Sequence, residues 1–219
     1  MPPADRNNTV QCLLLAAILA GSVALWWPLA DLLVIGSDDA YLILGSQRVA
    51  AGEWHWLLVP QAVHVLPLYK LVRLGFDLDF PARYHWMHAV AVGAHLANVI
   101  LLYVLSRRYL RTLVAPLIVA WLFAWHSWGW EAMVIRSQNT FVLSLPFLLG
   151  AVACLTRLTS GARWAAGCLL CLTVAVGLHS LAATAAIPSV VLGYYLLART
   201  REHRRWDSTA WAVCAIPLA

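Results

Sequence analysis

Charge is scarce in this sequence. Of 219 residues only 11% are Asp, Glu, Lys or Arg, while 62% are hydrophobic; a water-covered domain carries about 25% charged residues. The deficit excludes a surface covered mainly by water and leaves lipid as the covering medium. Linkers, low-complexity tracts and internal repeats are also missing, so a single transmembrane domain over residues 1–219 is expected. Five cysteines are present, Cys12, Cys154, Cys168, Cys171 and Cys214, all in apolar runs and none in the long polar loop. That placement argues against a disulfide framework. Cys168 and Cys171 form a C-x-x-C, but within an apolar helix and with no strand before it, where packing is the expected role. The first apolar run is expected to be a retained span rather than a cleavable leader. The apolar run from Val10 continues to about Leu29, past the roughly 7–15 residues of a signal core, and no small-x-small site follows.

What is present is a series of apolar segments. A span needs about 20 apolar residues. Segments of that kind cover about 10–34, 84–105, 110–126, 138–155, 164–179 and 181–198, and a further one opens near Ser208. The fold class predicted is therefore an all-α membrane protein of about seven transmembrane helices. The last run is still apolar at Ala219, so the chain is expected to stop within its seventh span, either as an incomplete sequence or as a shortened protein lodged against partner subunits.

The basic residues orient these spans. One side holds Arg6, Arg107, Arg108, Arg111, Arg157, Arg163, Arg199, Arg201, Arg204 and Arg205 against Asp5, Glu202 and Asp207. The other holds Arg48, Lys70, Arg73, Arg83 and Arg136 with most of the acids. Positive-inside then puts the N-terminus in the cytoplasm and the long loop, about 35–82, on the periplasmic, extracellular or lumenal side. In that loop Gln61–Phe76 sets Val65, Leu68, Leu71 and Val72 on one helical face and Lys70, Arg73 and Asp77 on another. This is the pattern of an amphipathic helix lying in the headgroup plane. Lipids and partner membrane subunits are the expected partners, and no nucleic acid is.

Three sets of residues could carry chemistry. Asp38-Asp39 follow the first span; adjacent carboxylates at a membrane surface resist ionising together and can act as a base or hold a divalent cation, or simply cap a helix. His85, His88 and His95 fall at about 0°, 300° and 280° on a helix of 100° per residue, with Asn98 nearby. Such a polar stripe in a span marks either a functional cavity or interhelical hydrogen bonding. The turn around 126–139 carries His126, Glu131, Arg136, Gln138 and Asn139. A guanidinium there can fork onto phosphate oxygens or form a surface ion pair. Histidine ligation of haem, a pigment or a metal is a further possibility, although no spacing here matches a known site.

The order of these features resembles that of the membrane-embedded glycosyltransferases of the C superfamily (GT-C), from about Val10 to Thr200. The matching elements are D-D-A-Y at Asp38–Tyr41, H-x-x-P at His64–Pro67, H-L-A-N at His95–Asn98, and F-A-W-H-S-W-G-W-E-A-M-V-I-R at Phe123–Arg136. Ser127 stands where the family usually has proline, His179-Ser180 where an acidic or Lys-Glu element often lies, and the family's variable C-terminal module has no counterpart. The resemblance implies an inverting enzyme using a polyprenyl-phosphate-linked sugar. Asp38 would be the base, Asp39 would assist it or hold a cation, and His126 and Arg136 would neutralise the leaving phosphate. Tyr41, His64 and Glu131 would line the substrate site. The alternative is a non-catalytic scaffold subunit of a larger membrane complex derived from the same fold.

Overall fold

A computed structural model describes residues 3–31, 37–61, 64–110, 112–126, 133, 135, 139–155, 157 and 162–179. Among these residues every regular element is helical. The α-helices are α1 (Pro3–Trp26), α2 (Ser37–Ala50), α3 (Pro67–Asp77), α4 (Tyr84–Tyr109), α5 (Ala115–Trp125), α6 (Asn139–Leu155) and α7 (Ala162–Leu178). Segments Asn7–Leu29 and His85–Tyr109 are long and apolar enough to cross a membrane. At 1.5 Å per residue α1 and α4 run about 36 and about 39 Å, against a hydrocarbon core of about 30 Å. The apolar helices in α5, α6 and α7 are shorter. The expected spans at 181–198 and from Ser208 lie outside the described residues.

Three expectations need correction. The first apolar segment is not one α-helix from 10 onward: α1 starts at Pro3 and gives way to a 3₁₀ turn over Trp27–Asp31. Pro28 explains the change, since it lacks an N–H and its ring crowds the carbonyl four residues back. The loop helix begins at Pro67 rather than Gln61, with proline in its first turn, where a missing N–H does no harm. Gln61 and His64 instead pair through their backbones at 2.7 and 2.9 Å. Finally, α2 is a second loop helix beyond the one that periodicity revealed. It ends in a turn where Gly52 adopts φ +97°, a conformation that favours glycine.

The chain divides into two units, Met1–Tyr41 with Asp79–Val142, and Leu42–Leu78 with Leu143–Ala219. In the first, α1 runs antiparallel to α4 and parallel to α5. At one end Arg107 Nη2 donates to Asn8 Oδ1 (2.6 Å), Tyr103 Oη to Gln11 Oε1 (3.3 Å), and Gln11 Nε2 to Leu113 O (3.0 Å). At the other, Trp26 Nε1 donates to Ala124 O at 3.0 Å. Between them Val99, Tyr103, Ala120 and Ala124 form a core with Leu15, Ile18, Leu19, Leu117 and Phe123. Helices α1 and α5 approach closely at Gly21, where a Cβ would lie 2.5 Å from Trp125 Cζ2.

In the second unit α6 and α7 share a core of Leu148, Ala151, Cys168, Leu172 and Ala175. Helix α3 meets α7 where Leu68 covers Gly177. Here the amphipathic reading is turned inside out. Tyr69, Lys70, Arg73 and Asp77 are the buried face of α3, and Leu71 is exposed. Trp54, Leu58, Val65 and Leu78 of the same loop are exposed too. A helix bordering water hides its apolar face; this one hides its charges.

Candidate functional site

The acidic pair sits in the first turn of α2, where a negative charge is favoured by the helix dipole. Successive helical residues point about 100° apart, so the two carboxylates part company: Asp38 is exposed and Asp39 fully buried. Asp39 continues a buried stripe of Leu42, Ser46 and Val49 at spacings of three and four. Tyr41, three residues after Asp38, shares its exposed side. One carboxylate is thus offered outward, and among the described residues no group of three or more His, Cys, Asp or Glu gathers to hold a metal.

The other residues proposed for substrate distribute as follows. His126, just past α5, is exposed. His64 is half-buried in the other unit; its Nδ1 and the Oε1 of Gln61 are buried without a hydrogen bond, and His179 lies within electrostatic reach. Glu131 and Arg136 lie outside the described residues, and so does any relation of Arg136 to the acidic pair.

The polar stripe of α4 has a specific use. His88 Nε2 lies 2.8 Å from Trp26 O, at the switch from α to 3₁₀ geometry, and Nδ1 lies 3.2 Å from Met133 O. Carbonyls only accept, so a neutral imidazole donates to one of them at a time. His95 Nε2 lies 3.3 Å from Ala124 O, in the last turn of α5, where carbonyls lack helical partners; its ring stacks on Phe123. Asn98 Nδ2 donates to Val142 O at 3.0 Å. That carbonyl would take the N–H of residue 146, but residue 146 is a proline inside α6. Three side chains on one helix therefore serve backbone acceptors on α1, α5 and α6, which is the hydrogen-bonding option for the stripe. His85 departs from it: it is exposed in the first turn of α4, its ring against Trp86.

A polar core that the sequence reading missed lies beneath α3. Lys70 Nζ donates to Trp56 O at 3.0 Å and to Val59 O, and sits 4.1 Å from the centre of the Trp56 ring. It thereby caps the 3₁₀ turn Trp54–Leu58, whose last carbonyls attract a cation. Burial pushes its pKa below the ordinary lysine value. Arg73 Nε bonds both carboxylate oxygens of Asp77 at 3.0 Å, and Ser46 Oγ donates to Asp77 Oδ2 at 3.2 Å. Both charges are buried, so removing either alone would cost about 3–5 kcal/mol. The signal was in the sequence, as three charges on one face of α3, but that face was assigned to the headgroup region. The chain matches no protein-family model, no curated protein and no solved structure.

Proposed function

We propose that the chain is a multi-pass integral membrane protein whose outer face carries a module transferring a sugar from a polyprenyl-phosphate donor. Support for the membrane comes from α1, whose apolar surface the rest of the chain leaves largely uncovered: Val10, Leu13, Leu14 and Leu25 are all exposed. Lipid is the covering such a surface requires. The arginine distribution then sets the N-terminus in the cytoplasm and α2 and α3 on the other side, over about seven spans.

The observation that carries the catalytic reading is the exposed carboxylate of Asp38 on the first helix after α1. In this reading an acceptor hydroxyl gives its proton to Asp38 as its oxygen bonds the anomeric carbon, and the bond from that carbon to the phosphate oxygen breaks on the opposite face. His126 and Arg136 neutralise the departing phosphate, Tyr41 and Glu131 contact substrate, and Asp39 positions its neighbour or supports a divalent cation. The rival reading, a scaffold subunit, draws on the α4 stripe, whose His88, His95 and Asn98 are all engaged with backbone carbonyls.

The test is turnover of a radiolabelled polyprenyl-phosphate sugar by membranes containing the full-length protein. Asp38→Asn, at an exposed position, should abolish turnover while leaving the chain folded, with only a small fall in melting temperature from the lost charge at the helix N-terminus. Wild-type turnover in that variant ends the assignment to Asp38. A wild-type chain without turnover favours the scaffold.

A further inference from the structure

The C-x-x-C of α7 is not where the thiols meet. Cys168 is fully buried in the core shared with α6, among Leu148, Ala151, Leu172 and Ala175. Cys171 reaches across to α6, where its thiol and that of Cys154 hydrogen-bond. The backbone leaves room for this in a reciprocal way. Gly150 precedes Cys154 by one turn on α6, and Gly167 precedes Cys171 by one turn on α7. A Cβ on Gly150 would lie 3.1 Å from Cys171 Sγ, and one on Gly167 would lie 3.2 Å from Cys154 Sγ. Each sulfur fills the space that the opposite glycine vacates, so two small-x-x-x-small steps mesh in antiparallel fashion. Both cysteines are partly buried against the core shared by the two helices.

We propose that Cys154 and Cys171 are an oxidisable pair, closed by a peroxide into a disulfide clasp that pins α6 to α7. The step balances without a further reactant. One thiolate attacks the peroxide O–O bond, giving a sulfenic acid and, after protonation, water. The second thiol then displaces the sulfenic oxygen, which leaves as a second water. Two thiols have lost two electrons and two protons, and the peroxide has taken both. The clasp reopens with a dithiol reductant.

The experiment uses the full chain in native membranes. Hydrogen peroxide is added, remaining thiols are blocked with a maleimide, and the protein is digested with trypsin without reductant. Arg157 and Arg163 lie between the two cysteines, so cleavage there separates the α6 peptide from the α7 peptide unless the sulfurs are joined. The expected product is the joined pair, two hydrogen masses lighter than the sum and released by dithiothreitol. Cys168→Ser should retain it, Cys171→Ser should lose it, and Gly167→Ala, which crowds Cys154 Sγ, should lower its yield severalfold. Separate α6 and α7 peptides from the oxidised wild-type chain would overturn the proposal, as would a link through Cys168, Cys12 or Cys214.

Discussion

The match between Asn98 and Pro146 can be tested as a coupling rather than as a single loss. Pro146 deprives Val142 O of its helical donor, and Asn98 Nδ2 stands in at 3.0 Å. Asn98→Leu strands that carbonyl, at about 1–3 kcal/mol for a buried unsatisfied group. Interhelical hydrogen bonds within membranes run lower, about 0.6 kcal/mol on average and about 1.7 at most. A further offset comes from Asn98 Oδ1, which is itself buried without a partner and disappears with the substitution. The net destabilisation expected is therefore about 1 kcal/mol, from the lower half of these ranges. In a Pro146→Ala background the outcome changes. Residue 146 then supplies its own N–H to Val142 O, and Asn98→Leu becomes neutral or stabilising. A double-mutant cycle, read by SDS titration or thermal unfolding in detergent, should return a coupling of about 1–2 kcal/mol. Additivity to within about 0.3–0.5 kcal/mol would show that Asn98 does not substitute for the missing N–H.

Gly45→Ala should destabilise the protein. Helix propensity favours alanine by about 1 kcal/mol, but its Cβ would overlap the buried Trp56 ring, and overpacking costs about 1–3 kcal/mol; an unchanged melting temperature would refute the packing. Lys70 predicts an alkaline pH dependence. Its folded pKa lies below the ordinary 10.5, so below the folded value both states hold the proton and the burial penalty is fully present. As pH rises towards 10.5 the folded state sheds the proton first and stability rises. Wild type should thus gain on Lys70→Met across that window, and a constant difference between the two would exclude the effect. For topology, single cysteines at Gly52 and Ser160 in a cysteine-free background should give labelling of Gly52→Cys alone by an impermeant reagent on intact cells. Labelling at Ser160→Cys only would invert the proposed orientation.

How much was legible follows from the kind of information each element needs. Helices α4, α6 and α7 were visible as apolar runs, and their observed ends, Tyr84–Tyr109, Asn139–Leu155 and Ala162–Leu178, fall within a few residues of 84–105, 138–155 and 164–179. Helix α2 was not, because a single buried stripe of Asp39, Leu42, Ser46 and Val49 mixes polar with apolar residues and leaves no clear period. On α3 the two faces were sorted correctly, but which one is buried depends on the surroundings, and periodicity says nothing of that. The acidic pair was legible as a pair; only the phase of α2 decides that Asp38 is the accessible member. Asn98 and Val142 are far apart in sequence, and their meeting depends on the register of α4 against α6, which no local pattern encodes.

The stripe on α4 has a consequence for how the chain is made. On synthesis from the N-terminus, Trp26 O exists when His88 emerges, but Ala124 O and Val142 O do not yet exist when His95 and Asn98 do. If α4 enters the bilayer as it leaves the ribosome, it carries two polar side chains whose acceptors are still untranslated, and hydrocarbon offers no replacement. Insertion is then favoured for α4 and α5 together, as a hairpin, with Asn98 left waiting until the first turn of α6 arrives. The order in which these helices settle is in this sense written into α4, by the distance in the chain between each polar side chain and the carbonyl it serves.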